Sequence, residues 1–146
     1  TPARLVLVGN SPPAEVRGLA SADITVTGRV AAVEPWLDAS TVVACPLRIG
    51  GGVKVKVLEA LNRGCPVVAT PNATHGVPGA RRAMRVAATT DEFAQALTDL
   101  LRDESERHRL AAAARACATA LPTWDDAAAA LADCWRSLAL PVERAA

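Results

Sequence analysis

Between Pro46 and Glu59 the chain reads Pro-Leu-Arg-Ile-Gly-Gly-Gly-Val-Lys-Val-Lys-Val-Leu-Glu. Residue types in this order suit the binding of a phosphorylated ligand. Gly50, Gly51 and Gly52 let backbone N–H groups approach an anion without a Cβ in the way. The helix pattern that follows offers unpaired N–H groups and the positive end of a dipole. Arg48, Lys54 and Lys56 add full positive charges, and Glu59 can accept hydrogen bonds from sugar hydroxyls. At 100° per residue, Gly52, Lys56, Glu59 and Arg63 form one stripe, with Lys54, Val57, Leu58 and Leu61 on the opposite, core-facing side. Lys54 falls in the first turn, where it can project past the carboxyl edge of a sheet toward a phosphate; the competing reading is a solvated lysine. Glu59 is about 9 Å along the helix axis from Val53. A ligand with its phosphate at the helix start and a ribose or sugar alongside has that extent. Glu59 paired with Lys56 or Arg63 on a solvated face is the plainer alternative.

The elements that must position these residues alternate. Arg4–Val8 is a continuous apolar run, as in a strand buried on both faces, and Ser11-Pro12-Pro13 starts a short helix through Leu19. Ile24–Thr27 is a second strand closed by Gly28, Val33–Leu37 a short helix, and Thr41–Cys45 a third strand. A helix from about Val53 to Arg63 stops at Gly64. Pro66–Thr70 is a fourth strand, Pro71 to about Arg82 a turn-rich loop, and Met84–Ala87 a possible fifth short strand. Helices follow from Thr90 or Asp91 to Leu101, over about Ser105–Ala120, and from Trp124 or Asp125 to Leu138. This order predicts an α/β fold, a Rossmann-like doubly wound parallel sheet with C-terminal helices. Ligands bind such sheets beyond the carboxyl ends of the strands, where the glycine turn falls.

Composition narrows the partners. The 146 residues are 51% hydrophobic, only 3% aromatic, and carry a net charge of +1. Bulk electrostatics therefore give no reason to expect nucleic acid or a membrane surface as partner, so any anion site must be local. No apolar run approaches the roughly 20 residues of a bilayer span. Cys45, Cys65, Cys117 and Cys134 lack metal-ligand spacing and read as small buried hydrophobes in a reducing compartment. His75 follows the fourth strand on the ligand side of the sheet and is a possible sugar or acceptor contact, though an ordinary loop histidine is the simpler reading. His108 lies in a charged helix and should face solvent; Asp125 and Asp126 should cap a helix rather than catalyse.

The stretch from Pro46 to Leu61, with Gly64-Cys65-Pro66-Val67-Val68-Ala69-Thr70 after it, resembles the donor-binding domain of GT-B glycosyltransferases. The retaining family four, formerly group 1, is the most similar group. Leu5–Gly9 resembles the strand before that family's hydrophobic-Gly turn, Val26-Thr27-Gly28-Arg29-Val30 its G-x-V element, and Trp124 the tryptophan that opens its terminal helix. The resemblance implies the C-terminal half of a GT-B fold. It also implies transfer of a glycosyl group from a nucleoside-diphosphate sugar to a glycan, lipid or small-molecule acceptor held by an N-terminal Rossmann domain. On the same ground Glu59 would take the ribose, Leu58 would pack on ribose or base, and Val30 would lie beside the base. The backbone of Gly50, Gly51, Gly52, Val53 and Lys54 would face the diphosphate and the sugar, with Ile49 also among the donor-binding residues. Arg48 and Lys54, helped by Lys56, would stabilise the departing diphosphate without a metal or other cofactor.

Two departures stand out. Gly51 occupies the position eight residues before Glu59, where the family's first glutamate contacts the donor sugar; a branch with Arg-x-Gly-Gly-Gly-x-Lys/Arg-x-Lys shares this feature. The strand–helix unit that normally precedes the Leu5–Val8 strand, and would be central in a 3-2-1-4-5-6 sheet, is not in the sequence. Residues 1–140 are therefore expected to form a donor domain lacking that unit, with 141–146 as a tail, and the chain alone is expected to be inactive. The location implied is the cytoplasm or the cytoplasmic face of a membrane. A non-catalytic nucleotide-binding or assembly module is the alternative. A dinucleotide enzyme is disfavoured, since no Gly-x-Gly-x-x-Gly follows the first strand.

Overall fold

In the computed structural model, which describes residues 2–138, every strand runs parallel to its neighbours. β1 (Leu5–Val8) pairs with β2 (Ile24–Gly28), Leu5 opposite Ile24. A second sheet holds β3 (Val43–Cys45), β4 (Val67–Ala69) and β5 (Arg85–Val86), with β4 in the middle and Ala69 opposite both Cys45 and Val86. Short helices α1 (Ala14–Arg17) and α2 (Glu34–Asp38) and the longer α3 (Val55–Asn62) link successive strands. A 3-10 turn (Pro71–Thr74) and α4 (Ala80–Ala83) lead into β5. Three helices then finish the described chain: α5 (Thr90–Arg102), α6 (Glu104–Thr119) and α7 (Trp124–Leu138). The α/β, Rossmann-like class predicted above is the one observed.

Alternation along β4 organises the core. Successive side chains of a strand point to opposite faces. Val67 and Ala69 accordingly pack with Val57, Ala60 and Leu61 of α3 and with Ala80, Ala83 and Ala114. Val68 packs on the other side with Ala96 and Leu100 of α5 and Leu110 of α6. The many alanines at these contacts let helices approach closely. Thr89 caps α5 in a reciprocal box with Glu92, satisfying N–H groups that the first turn leaves unpaired.

The structure departs from the sequence reading at several points. The pairing is split: among the described residues no ladder joins β1–β2 to β3–β4–β5. The helix expected from Val53 starts at Val55, because Gly52 has φ +68° and Lys54 has ψ 85°, neither of them helical. The segment expected to be a loop up to Arg82 contains the 3-10 turn, begun by Pro71, and α4, whose Ala-Arg-Arg-Ala sequence favours helix. Packing follows the split. No residue in 2–41 is buried, and the apolar β1 leaves Leu5 and Val6 over two-fifths exposed. The α7 helix likewise buries nothing, with Trp124, Leu131, Trp135 and Leu138 exposed. The tail proposed for 141–146 lies outside the described residues.

Candidate functional site

The glycine turn lies at the carboxyl end of β3 and is organised by Lys54. This side chain is only 7% exposed. Its Nζ donates to the carbonyl oxygens of Gly50 at 2.7 Å, Gly51 at 2.9 Å and Gly52 at 3.1 Å, which uses all three ammonium protons. Every peptide bond described is trans. In a trans peptide the N–H points opposite to the C=O, so the amides of Gly51, Gly52 and Val53 aim away from the ammonium. They have no backbone acceptor among the described residues, and all three residues are exposed. Gly50 at φ +124° and Gly52 at φ +68° adopt backbone conformations that L side chains resist. The turn therefore presents a row of free donors at the start of α3, the arrangement that anions prefer.

Along α3 the expected stripe is present. Lys56, Glu59 and Arg63 are exposed, whereas Val57 and Leu61 are fully buried. Arg63 pairs with Asp38 of α2 through Nε at 2.7 Å and through Nη2. The Glu59 carboxylate has neither ion pair nor hydrogen bond among the described residues, so the alternative of a Glu59–Arg63 pair does not form. Leu58 is half-buried against the core.

Arg48 faces a different direction. Its Nη2 donates to Thr90 Oγ1 at 3.3 Å, and it lines a cavity of about 780 Å³ with Thr70, Asn72, Phe93 and Leu97. Asn72 Nδ2, buried at this wall, has no hydrogen-bond partner among the described residues. Asn72 was not singled out from sequence, although its place directly after Pro71 at the end of the fourth strand was a usable signal. His75 is exposed, and Gly76 beside it lies against Val53: a Cβ on Gly76 would come within 3.3 Å of Val53 Cγ2. The fold thus brings the glycine turn next to the His75 loop. Val30 belongs to the loop after β2, in the other strand pair.

The remaining titratable groups fit structural roles. Burial pushes the Cys45 thiol up to about 11 and also raises those of Cys65 and Cys117. Cys134 departs from the expectation of burial and is exposed on α7. Asp126 accepts from the Thr123 N–H at 2.8 Å, which holds its carboxyl below the usual range, as a capping group should be. His108 is exposed and lies 3.9 Å from Glu104. Among the described residues no group of three or more His, Cys, Asp or Glu is placed to hold a metal ion, and no helix is long and apolar enough to cross a membrane.

Comparison with solved structures places this architecture. Sucrose-phosphate synthase from Thermosynechococcus elongatus superposes with a TM-score of 0.78 at 22% identity, covering 92% of this chain and 38% of that one. HepE of Anabaena, solved in complex with UDP, gives 0.79 at 18% identity, covering 92% and 41%. WaaG, a glycosyltransferase involved in lipopolysaccharide biosynthesis, gives 0.73 at 20% identity, covering 87% and 36%. The chain thus spans about two-fifths of the length of these proteins, and the likeness is one of fold: the Rossmann-like half of a GT-B structure. A comparison with curated proteins found no match. Residues 1–103 match the family model described as Glycosyl transferases group 1, and with most of its length so matched the chain belongs to that glycosyltransferase family.

Proposed function

We propose that this chain is the donor-binding half of a nucleotide-sugar-dependent glycosyltransferase. It holds a nucleoside-diphosphate sugar while an N-terminal Rossmann domain, outside these residues, presents a glycan, lipid or small-molecule acceptor. The observation that carries this reading is the run of outward amides from Gly51 to Val53, followed on the exposed face of α3 by an unpaired carboxylate at Glu59. Amides for phosphate just before α3, and a carboxylate for ribose hydroxyls further along its exposed face, match a nucleoside diphosphate in order and chemistry. HepE has been solved with UDP and with UDP-glucose, which supports the same ligand class here.

In this reading exposed Lys56 brings charge to the departing diphosphate, Arg48 joins it by leaving the Thr90 hydroxyl that holds it in this structure, and Lys54 contributes from beneath the turn. These fixed charges and the α3 dipole take the part a metal ion plays elsewhere, and transfer proceeds with retention at the sugar. Ile49 and Val53 border the sugar, Leu58 and Val30 the nucleoside, and His75 the sugar or acceptor. The unpaired edges of β1 and β3 are completed by one further parallel strand, with its helix, from outside these residues. The 146 residues alone are therefore inactive in transfer, and the whole protein works in the cytoplasm or at its membrane face. Calorimetric titration of the full-length protein with UDP and GDP tests the reading. Binding of either, with sugar transfer from the matching donor, is expected; no binding of both overturns it.

A further inference from the structure

We infer that Lys54 is a positioning residue that serves the diphosphate through the backbone, not a side chain that touches it. The inference rests on the donor-site reading above and deepens it. A lysine that binds phosphate directly must keep ammonium protons free. Here all three are held by the carbonyls of Gly50, Gly51 and Gly52, at 2.7 to 3.1 Å, in a site that leaves the side chain 7% exposed. The turn otherwise has little to hold it. Gly51 and Gly52 would meet nothing within 4 Å of an added Cβ, and the nearest atom to one on Gly50 is Lys54 Nζ itself, at 3.7 Å. Among the described residues no backbone acceptor engages the amides of Gly51, Gly52 or Val53.

Three consecutive carbonyls drawn to one cation force three consecutive N–H groups to the opposite side. The same cation polarises each peptide, which strengthens the outward donors. Glycine is required for the turn, yet glycine is also the residue most costly to order. Lys54 supplies the ordering before the ligand arrives, so the loop meets its anion preformed. Its charge still acts on the phosphates, through the peptides between them.

Arginine separates this role from direct contact. A guanidinium binds phosphate at least as well as an ammonium, but its planar fork cannot direct donors to three carbonyls around a point. In the full-length protein, Lys54→Met is expected to weaken UDP binding by about 10- to 100-fold and to leave uridine binding within about twofold. Lys54→Arg is expected to fail to restore UDP affinity. In protein labelled with ¹⁵N-glycine, Gly50, Gly51 and Gly52 should show rigid order parameters without ligand, and Lys54→Met should lower them to the range of flexible loops. Restoration by Lys54→Arg to within twofold of wild type makes Lys54 a direct ligand and overturns the inference. Equal loss of UDP and uridine affinity makes it a general structural residue and also overturns it, as does an ordered turn in Lys54→Met. If that variant does not fold, Lys54→Leu, which likewise removes every donor, is read by the same criteria. Wild-type protein that binds no nucleotide sinks the donor-site reading instead, and the glycine order parameters then decide alone whether Lys54 holds the turn.

Discussion

A carboxylate on an exposed helix face with no cation bound to it is available to a ligand, and Glu59 meets that description because Arg63 is engaged by Asp38. A hydrogen bond to a charged acceptor contributes about 1.5–3 kcal/mol. Glu59→Ala should therefore weaken nucleotide binding roughly 10- to 100-fold without lowering the unfolding midpoint, since the side chain is exposed; unchanged affinity in calorimetry would remove Glu59 from the site. The exposed stripe of α3 was legible in the sequence because helical periodicity is local. The direction of Arg48 was not. Its partner, Thr90, is 42 residues away, and only the docking of α5 beside β4 puts the two within reach.

Elements hold this site by burial on both faces of β4. Leu61 is fully buried among alanines and valines, small neighbours that cannot close over a void. Leu61→Ala should lower stability by about 3–5 kcal/mol, read as a fall in the urea midpoint at unchanged slope. At the start of α5, Glu92 accepts from the N–H groups of Ala88 at 2.8 Å and Thr89 at 3.1 Å, which hold its carboxyl below the usual range. A group with a depressed folded value stabilises above its unfolded value and stops doing so as pH falls through the folded one. The melting temperature of wild type should exceed that of Glu92→Gln at neutral pH, and the difference should begin to shrink as pH falls past the ordinary glutamate value of about 4.3 and vanish once pH is below the depressed folded value. A constant difference across pH would show that charge has no part in the cap. Loss of the Thr89 hydroxyl in Thr89→Ala should cost about 1 kcal/mol at neutral pH. Apart from α4, which was read as loop, the helices were legible from capping and periodicity. The exact start of α3 was not, because glycine dihedrals are set by what the loop bonds to.

At the scale of the molecule, order and burial divide unevenly. Among the described residues the core lies between Cys45 and Ala114, while 2–41 contributes no buried residue and its two strands pair only with each other. A two-stranded unit with half-exposed Leu5 and Val6 has little to stabilise it. By hydrogen exchange, the amides of β1 and β2 in this 146-residue chain should exchange orders of magnitude faster than those of β4 and α3. In the full-length protein they should become protected to a similar degree. Rapid exchange there as well would argue against a strand completing the sheet.

The sequence by itself determined the α/β class, the family, and the glycine turn with its charges, because strand and helix patterning, helix caps and a phosphate-type loop are written in residues close together along the chain. Tertiary structure alone decided that Lys54 turns inward onto the carbonyls of its own loop, that Arg48 reaches toward α5, and that the parallel strands fall into two sheets. Each of these depends on which groups a folded chain brings together or leaves unpaired, and no local pattern encodes a partner that is distant or lies outside it.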